Sequence, residues 1–191
     1  MMENAYSILD TYKHGTNEKY QAWTTLEIPR VLLGIGDVLS TINRHADAAD
    51  AYSRALEHFQ DILKGFPSED SNLAHLKAHR KVCEATILIA EELLSCHDGE
   101  DVITTETKSL IVSASERIEY ARGYYDQARE ALQETLFFMA NLAAQGTDVQ
   151  TEKEDTCFLA TMIMGVGTTL AAIDEEKESA STEPVKKKAK T

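Results

Sequence analysis

Prolines are scarce in this chain, and their scarcity constrains the fold more than any other feature. Only Pro29, Pro67 and Pro184 occur in 191 residues. Ala, Leu, Glu and Lys are abundant, and no long run of Val, Ile and Thr alternates with period two, so the composition favours helices over strands. The sequence predicts an all-α protein. Its expected helices cover residues 3–13, 17–41 with a kink or break near Pro29, 46–64, 70–96, 104–122, 125–145 and 151–176.

Turn-forming residues separate these predicted helices. His14-Gly15-Thr16-Asn17 closes one helix and caps the next, and Gly65-Phe66-Pro67-Ser68 separates another pair. Gly123 and Gly146 are expected to end two later helices. From about residue 177 the chain is polar and charged with almost no apolar content, which is typical of a disordered tail. We therefore expect a helical domain over residues 1–176 and a tail over residues 177–191.

The charge is divided unevenly between body and tail. Overall, 19 Lys and Arg face 32 Asp and Glu, for a net charge of −13. Four of the positive charges are Lys186, Lys187, Lys188 and Lys190, so residues 1–185 hold 15 basic against 32 acidic residues. An acidic body without a basic run disfavours direct binding to nucleic acid or to an anionic membrane surface. It favours a basic protein partner or simple solubility.

Cysteine content and hydropathy indicate a protein of a reducing compartment. Cys83, Cys96 and Cys157 form an odd, sparse set, as expected for free thiols. No secretory signal is expected at the N-terminus. The longest apolar stretch, Cys157 to Ile173, is shorter than the roughly 18 residues that a membrane helix needs.

Small residues recur at informative spacings in the second and third predicted helices. Ala48 lies twelve positions after Gly36, Tyr52 lies four positions after Ala48, and Ala55 lies three positions after Tyr52. Small residues let two helix backbones approach closely, and an aromatic ring fills the remaining gap. The pattern resembles a tetratricopeptide (TPR) repeat. It implies a TPR-like helical-hairpin solenoid, with the long last helix as a C-terminal cap.

Two further segments match this repeat more weakly. Val82 to Ala90 resembles a first helix with Ala90 in the small position, and Tyr124 to Ala128 resembles the turn into a second helix. The alternative is an irregular helical bundle with one accidental TPR-like match. Trp23, the only tryptophan, is expected to pack in the core rather than to anchor a ligand.

Several segments together resemble one TPR subfamily, the SHNi-TPR histone chaperones. They are Ala22–Arg30, Gly36–Ser40 with Ala48–Leu56, Tyr125–Ala128, and the acidic-then-basic tail from Asp174 to Lys190. The resemblance implies a nuclear, TPR-type chaperone that binds core histones, shields their charge and delivers them for chromatin assembly. The alternative is a TPR adaptor or scaffold that binds another protein through its groove without a histone role. Self-association as a homodimer is left open.

In a TPR array the first helix of each repeat lines the groove, so residues on these helices are predicted to bind the partner. They are Arg30, Leu33, Asp37, Glu84, Ile87 and Glu91. The carboxylates in this set suit a Lys- and Arg-rich peptide through charge-assisted hydrogen bonds. The alternative is that Glu91 and Glu92 simply form a solvent-exposed helix face without a binding role.

The remaining motifs add an import signal and no catalytic site. Lys186-Lys187-Lys188-Ala189-Lys190 matches the short basic type of nuclear import signal. No phosphate-binding loop or nucleophile elbow occurs, so we expect no enzyme activity and no cofactor. His75, His79 and Cys83 share one predicted helix face at spacings of four residues. A His-x3-His pair is a workable half of a zinc site, but further ligands would have to come from elsewhere in the fold. No metal site is therefore predicted, and a metal-dependent regulator using these three side chains is kept as a third alternative.

Overall fold

A computed structural model describes residues 18–66, 72–96, 102–103, 110–111 and 113–182, with side chains between residues 27 and 179. Five helices account for nearly all of this part of the chain, and the predicted all-α class is confirmed. They are α1 (Glu18–Thr41), α2 (His45–Lys64), α3 (Leu73–Ser95), α4 (Ala114–Ala144) and α5 (Gln150–Thr182). Two-residue strands, β1 (Val102–Ile103) and β2 (Leu110–Ile111), pair antiparallel between α3 and α4.

Each helix packs against its neighbour in sequence, and α3 lies at the centre of the arrangement. It contacts α2, α4 and α5, while α2 also contacts β1. A helix with neighbours on several sides buries apolar residues around much of its circumference. Accordingly, Leu76, Cys83, Ile87, Ile89 and Leu93 of α3 all lie in the core.

The close approach of α1 and α2 confirms the predicted role of the small residues. A Cβ atom added at Gly36 would lie only 2.2 Å from Cε1 of Tyr52. Tyr52 is almost completely buried, as are Ala48 and Ala55 on the same face of α2. The Tyr52 ring therefore occupies the space that a side chain at position 36 would need. Helix α1 continues through the buried Pro29 without a break.

The predicted boundary at Gly123 is wrong, since α4 is continuous across it. A glycine inside a helix costs about 1 kcal/mol relative to alanine. Burial of Ala121, Tyr124 and Ala128 on the inner face of α4 outweighs that cost. The TPR-like turn predicted at Tyr124–Ala128 is consequently wrong as well, because these residues lie in mid-helix.

Helix α4 also begins later than predicted. A capping box fixes its start: the Ser113 hydroxyl accepts from the Glu116 backbone N–H, and the Glu116 carboxylate accepts from the Ser113 N–H. Within the predicted helix 104–122, residues 110–111 instead form β2. The predicted helix 3–13 and the side chain of Trp23 lie outside the described part of the structure.

Helix α5 packs its inner face on the other helices and leaves much of its apolar surface exposed to solvent. Leu159, Ile163, Val166 and Leu170 are buried at helical spacing, while Phe158 is 66% exposed. The helix ends at Thr182, beyond its predicted end at residue 176, so residues 177–182 continue α5. The four tail lysines lie outside the described residues.

By length and composition alone, Gln150–Ser179 of α5 could cross a membrane, and 28% of its most apolar 18-residue stretch is buried inside the structure. The expectation that no stretch is long enough is therefore wrong on those two criteria. Core helices of soluble proteins that satisfy the same criteria are mostly buried, whereas most of this stretch is not. Near its start, α5 carries a charged contact to α3. Glu152 of α5 lies 2.5 Å from the guanidinium of Arg80.

Candidate functional site

Carboxylates from α1 and α3 converge around one buried tyrosine of α2. The Tyr52 hydroxyl donates a 2.8 Å hydrogen bond to Oδ1 of Asp37. Burial, this hydrogen bond and the charges of Asp37, Glu92 and Glu91 all raise the pKa of Tyr52. The three carboxylates thus act on the same phenol from two helices. We call Asp37, Glu91 and Glu92 the acidic cluster.

The members of the acidic cluster differ in exposure. Glu92 is buried, and His45 at the start of α2 donates to it through Nδ1 at 2.7 Å. A buried carboxylate needs such a partner, because desolvation without compensation is costly. Asp37 and Glu91 are exposed, and among the described residues neither forms an ion pair. The outer part of the cluster is therefore an unneutralised acidic surface.

The electrostatics of Glu91 reflect this crowding. Desolvation and the neighbouring charge of Glu92 raise the pKa of the Glu91 carboxyl above its ordinary value. Both causes penalise the ionised form. A cation brought to Glu91 would offset the repulsion from Glu92.

The structure brings together only part of the predicted groove. Arg30, Asp37 and Glu91 are exposed, and Arg30 pairs with Glu27 at 3.3 Å. Leu33 and Ile87 are buried in the core at 6% and 0% exposure, so their assignment as groove contacts is wrong. The prediction assumed an open face on each first helix, whereas α1 and α3 pack those positions against neighbouring helices.

Glu84, the remaining predicted groove carboxylate, lies apart from the acidic cluster. Its carboxylate lies 2.5 Å from Nζ of Lys81, which neutralises it. It lines a shallow cavity of about 130 Å³ between α3 and α5, together with Arg80, Asp155 and Phe158. Glu84 is therefore not part of the acidic cluster.

The histidines of α3 form a second group of polar side chains, packed among aromatic rings. Nε2 of His75 and Nε2 of His79 are 3.2 Å apart. Cys83 does not join them, because its thiol donates instead to the Ala128 carbonyl at 3.4 Å. Burial raises the pKa of this thiol to about 12, which makes it unreactive. Within the described ranges, no group of three or more His, Cys, Asp and Glu side chains could hold a metal ion.

The sequence analysis did not single out His45, and it considered Glu92 only as part of a solvated helix face, which is wrong because Glu92 is buried. His45 and Glu92 form a buried contact between α2 and α3, across 47 positions of sequence. Comparison with known proteins identifies no relative: no family model, no curated protein and no solved structure matches this chain.

Proposed function

We propose that this protein is a helical binding protein for a basic protein segment, and that it acts as a histone-binding chaperone. The observation that carries the proposal is the exposed part of the acidic cluster, where Asp37 and Glu91, like the buried Glu92, lie close enough to Tyr52 for their charges to raise its pKa. Lys and Arg side chains can satisfy such carboxylates with charge-assisted hydrogen bonds. The choice of core histones among basic partners rests on the resemblance to SHNi-TPR chaperones.

The mechanism we propose is competition with DNA for the same basic side chains. The acidic cluster would occupy Lys and Arg groups that otherwise contact phosphates, and DNA would displace the protein on transfer. Release is favourable because a partly exposed carboxylate surface binds less strongly than a continuous phosphate backbone. Nuclear import through Lys186, Lys187, Lys188 and Lys190 would place the protein where this exchange occurs.

The TPR-like arrangement is part of the same proposal, and two features support it. The Gly36–Tyr52 contact reproduces the close helix approach on which a TPR hairpin depends. The spacing of Ala48, Tyr52 and Ala55 recurs in α4 as Ala121, Tyr125 and Ala128. In α4, however, the tyrosine meets Gly167 of the following helix, so the second unit is arranged differently from the first.

A second candidate function, an adaptor that binds through apolar contacts, is favoured by a stripe on α1. Val31, Val38 and Ile42 are 42%, 63% and 56% exposed. Their spacing of seven and then four residues places them on one helix face. A partner bound mainly to this stripe would depend on buried apolar area rather than on charge.

Binding to purified core histones at increasing ionic strength separates the two candidates. The informative variant combines Asp37→Asn with Glu91→Gln, because the asparagine still accepts the hydrogen bond from Tyr52. The matched control combines Glu130→Gln with Glu154→Gln, two exposed carboxylates elsewhere that give the same change in charge. We expect the cluster variant to bind roughly tenfold or more weakly, since tenfold corresponds to about 1.4 kcal/mol.

The salt dependence supplies the second readout. Binding through carboxylates weakens steeply as salt shortens the Debye length, whereas binding through the apolar stripe does not. Wild-type protein that retains no histone at moderate salt would refute the chaperone proposal. Equal loss of binding in the cluster variant and the control would instead refute the assigned site, because only net charge would then matter. Salt-resistant binding lost in Val38→Ser would favour the adaptor.

A further inference from the structure

Two histidines of α3 face each other at a distance that suits a shared metal ion. Nε2 of His75 lies 3.2 Å from Nε2 of His79, one helical turn away. Two nitrogen ligands about 2.0–2.1 Å from a tetrahedral zinc ion are themselves about 3.3 Å apart. The separation of the two nitrogens therefore already matches that of two ligands of one zinc ion. In the metal-free protein one Nε2–H donates to the other ring. When a metal binds, that proton moves to Nδ1 of the same imidazole, so that both rings stay neutral and each offers an Nε2 lone pair.

Aromatic packing holds both rings in this orientation. His75 stacks on Phe66 with 4.9 Å between ring centroids and contacts Phe138 at 4.6 Å. His79 stacks on Phe138, also with 4.6 Å between ring centroids. Ligands fixed in this way lose little side-chain entropy when a metal binds, which favours affinity.

The carboxylate of Glu134 lies beside Nδ1 of His79, the ring nitrogen that does not face His75. Oε2 of Glu134 is 3.2 Å from Nδ1 of His79, while Nδ1 is buried and has no aligned hydrogen bond. Metal-bound histidines commonly donate their other N–H to a carboxylate, which fixes the tautomer and strengthens the ligand. The Glu134 side chain is 63% exposed, so a rotation of that chain aligns the bond. The Nε2 lone pair of His79 then points toward His75.

The pair opens onto a cavity between α3 and α4. This cavity has a volume of about 540 Å³ and is lined by His75, His79, Gln133, Glu134, Phe137 and Phe138. We propose that His75 and His79 bind a late first-row divalent cation such as zinc, with the remaining positions open to water or to a ligand from a partner. Imidazole nitrogens select such ions over magnesium and calcium, which prefer oxygen ligands.

Zinc titration of the full chain by calorimetry tests this site directly. The background is Cys157→Ser, which removes the exposed thiol that would otherwise bind zinc. We expect one equivalent of zinc per chain and no heat from magnesium. His79→Phe preserves the stacking area on Phe138 but removes the ligand, and we expect it to abolish measurable binding. His58→Asn, a change at a histidine of α2, is the matched control and should bind as the background does.

Glu134→Gln separates a tuned metal site from a chance pair of histidines. Loss of the carboxylate should weaken zinc binding about tenfold to a hundredfold, as for other outer carboxylates of metal-bound histidines. Zinc should also raise the melting temperature of the background protein but not that of His79→Phe. Absence of saturable zinc binding, or equal binding by His79→Phe, would overturn the proposal. Unchanged binding by Glu134→Gln would overturn the role of Glu134.

Discussion

Replacing Gly36 by alanine tests the packing on which the α1–α2 hairpin depends. The new Cβ would lie 2.2 Å from Cε1 and 2.6 Å from Cδ1 of Tyr52. Carbon atoms in contact are at least about 3.5 Å apart, so the ring or the helix must move by about 1.3 Å. The ring cannot move without disturbing other contacts, because Tyr52 is 1% exposed and its hydroxyl is hydrogen-bonded to Asp37.

Overpacking of this kind costs about 1–3 kcal/mol, and weakening the hydrogen bond to the Asp37 carboxylate adds about 1 kcal/mol. Alanine recovers about 0.5–1 kcal/mol through its better helix propensity. We therefore expect Gly36→Ala to lower the free energy of unfolding by about 2 kcal/mol. For a chain of this length, that loss lowers the melting temperature by about 4–8 °C.

Urea denaturation followed by circular dichroism measures this change, and α1 provides its own control. Gly34 lies two residues away on the exposed side of the same helix, with nothing within 4 Å of an added Cβ. Gly34→Ala should stabilise the protein by about 0.5–1 kcal/mol. If Gly36→Ala is as stable as Gly34→Ala, the tight Gly36–Tyr52 contact does not exist. In a Tyr52→Leu background, the cost of Gly36→Ala should fall by about 1 kcal/mol or more.

Three further substitutions test other parts of the molecule. Gly167→Ala should lower the free energy of unfolding by about 1 kcal/mol in urea denaturation, because its Cβ would lie 2.7 Å from the hydroxyl of Tyr125 in α4. Gly165→Ala places its Cβ in open space and should stabilise the protein. Glu152→Ala removes the buried charge that ties α5 to α3 and should cost about 1–3 kcal/mol by the same measurement, while Glu154→Ala should cost less than about 0.5 kcal/mol. Glu91→Gln should raise the melting temperature slightly at pH 7. The raised pKa of this carboxyl means that its ionised form opposes folding, so the gain should disappear as the pH falls below the ordinary value of 4.5.

The features that the sequence predicts best depend on neighbours close in the chain. Gly36, Ala48, Tyr52 and Ala55 belong to one hairpin, so their spacing already determines which side chains meet. The same holds for the breaks near Gly65 and Gly146, where local backbone preferences decide the outcome. These parts of the fold follow from residues within about twenty positions of each other.

The features that the sequence predicts poorly depend on distant contacts. Gly123 reads locally as a helix end, but its inner neighbours pack on other helices, and that burial keeps α4 continuous. Leu33 and Ile87 were predicted to line a groove because the first helix of each repeat was assumed to pack on one side only, but both are buried. The contact between His45 and Glu92 joins positions 47 residues apart, and no local pattern encodes it.

The acidic cluster and the hairpin packing are coupled through a single side chain. Tyr52 fills the gap beside Gly36 with its ring and holds Asp37 with its hydroxyl. A change in the packing of that ring therefore moves the carboxylate that we assign to partner binding. Gly36→Ala should weaken histone binding even though it leaves every charge in place, whereas Gly34→Ala should not. Weakened binding at constant charge would show that the protein presents a positioned carboxylate, rather than a diffuse negative surface.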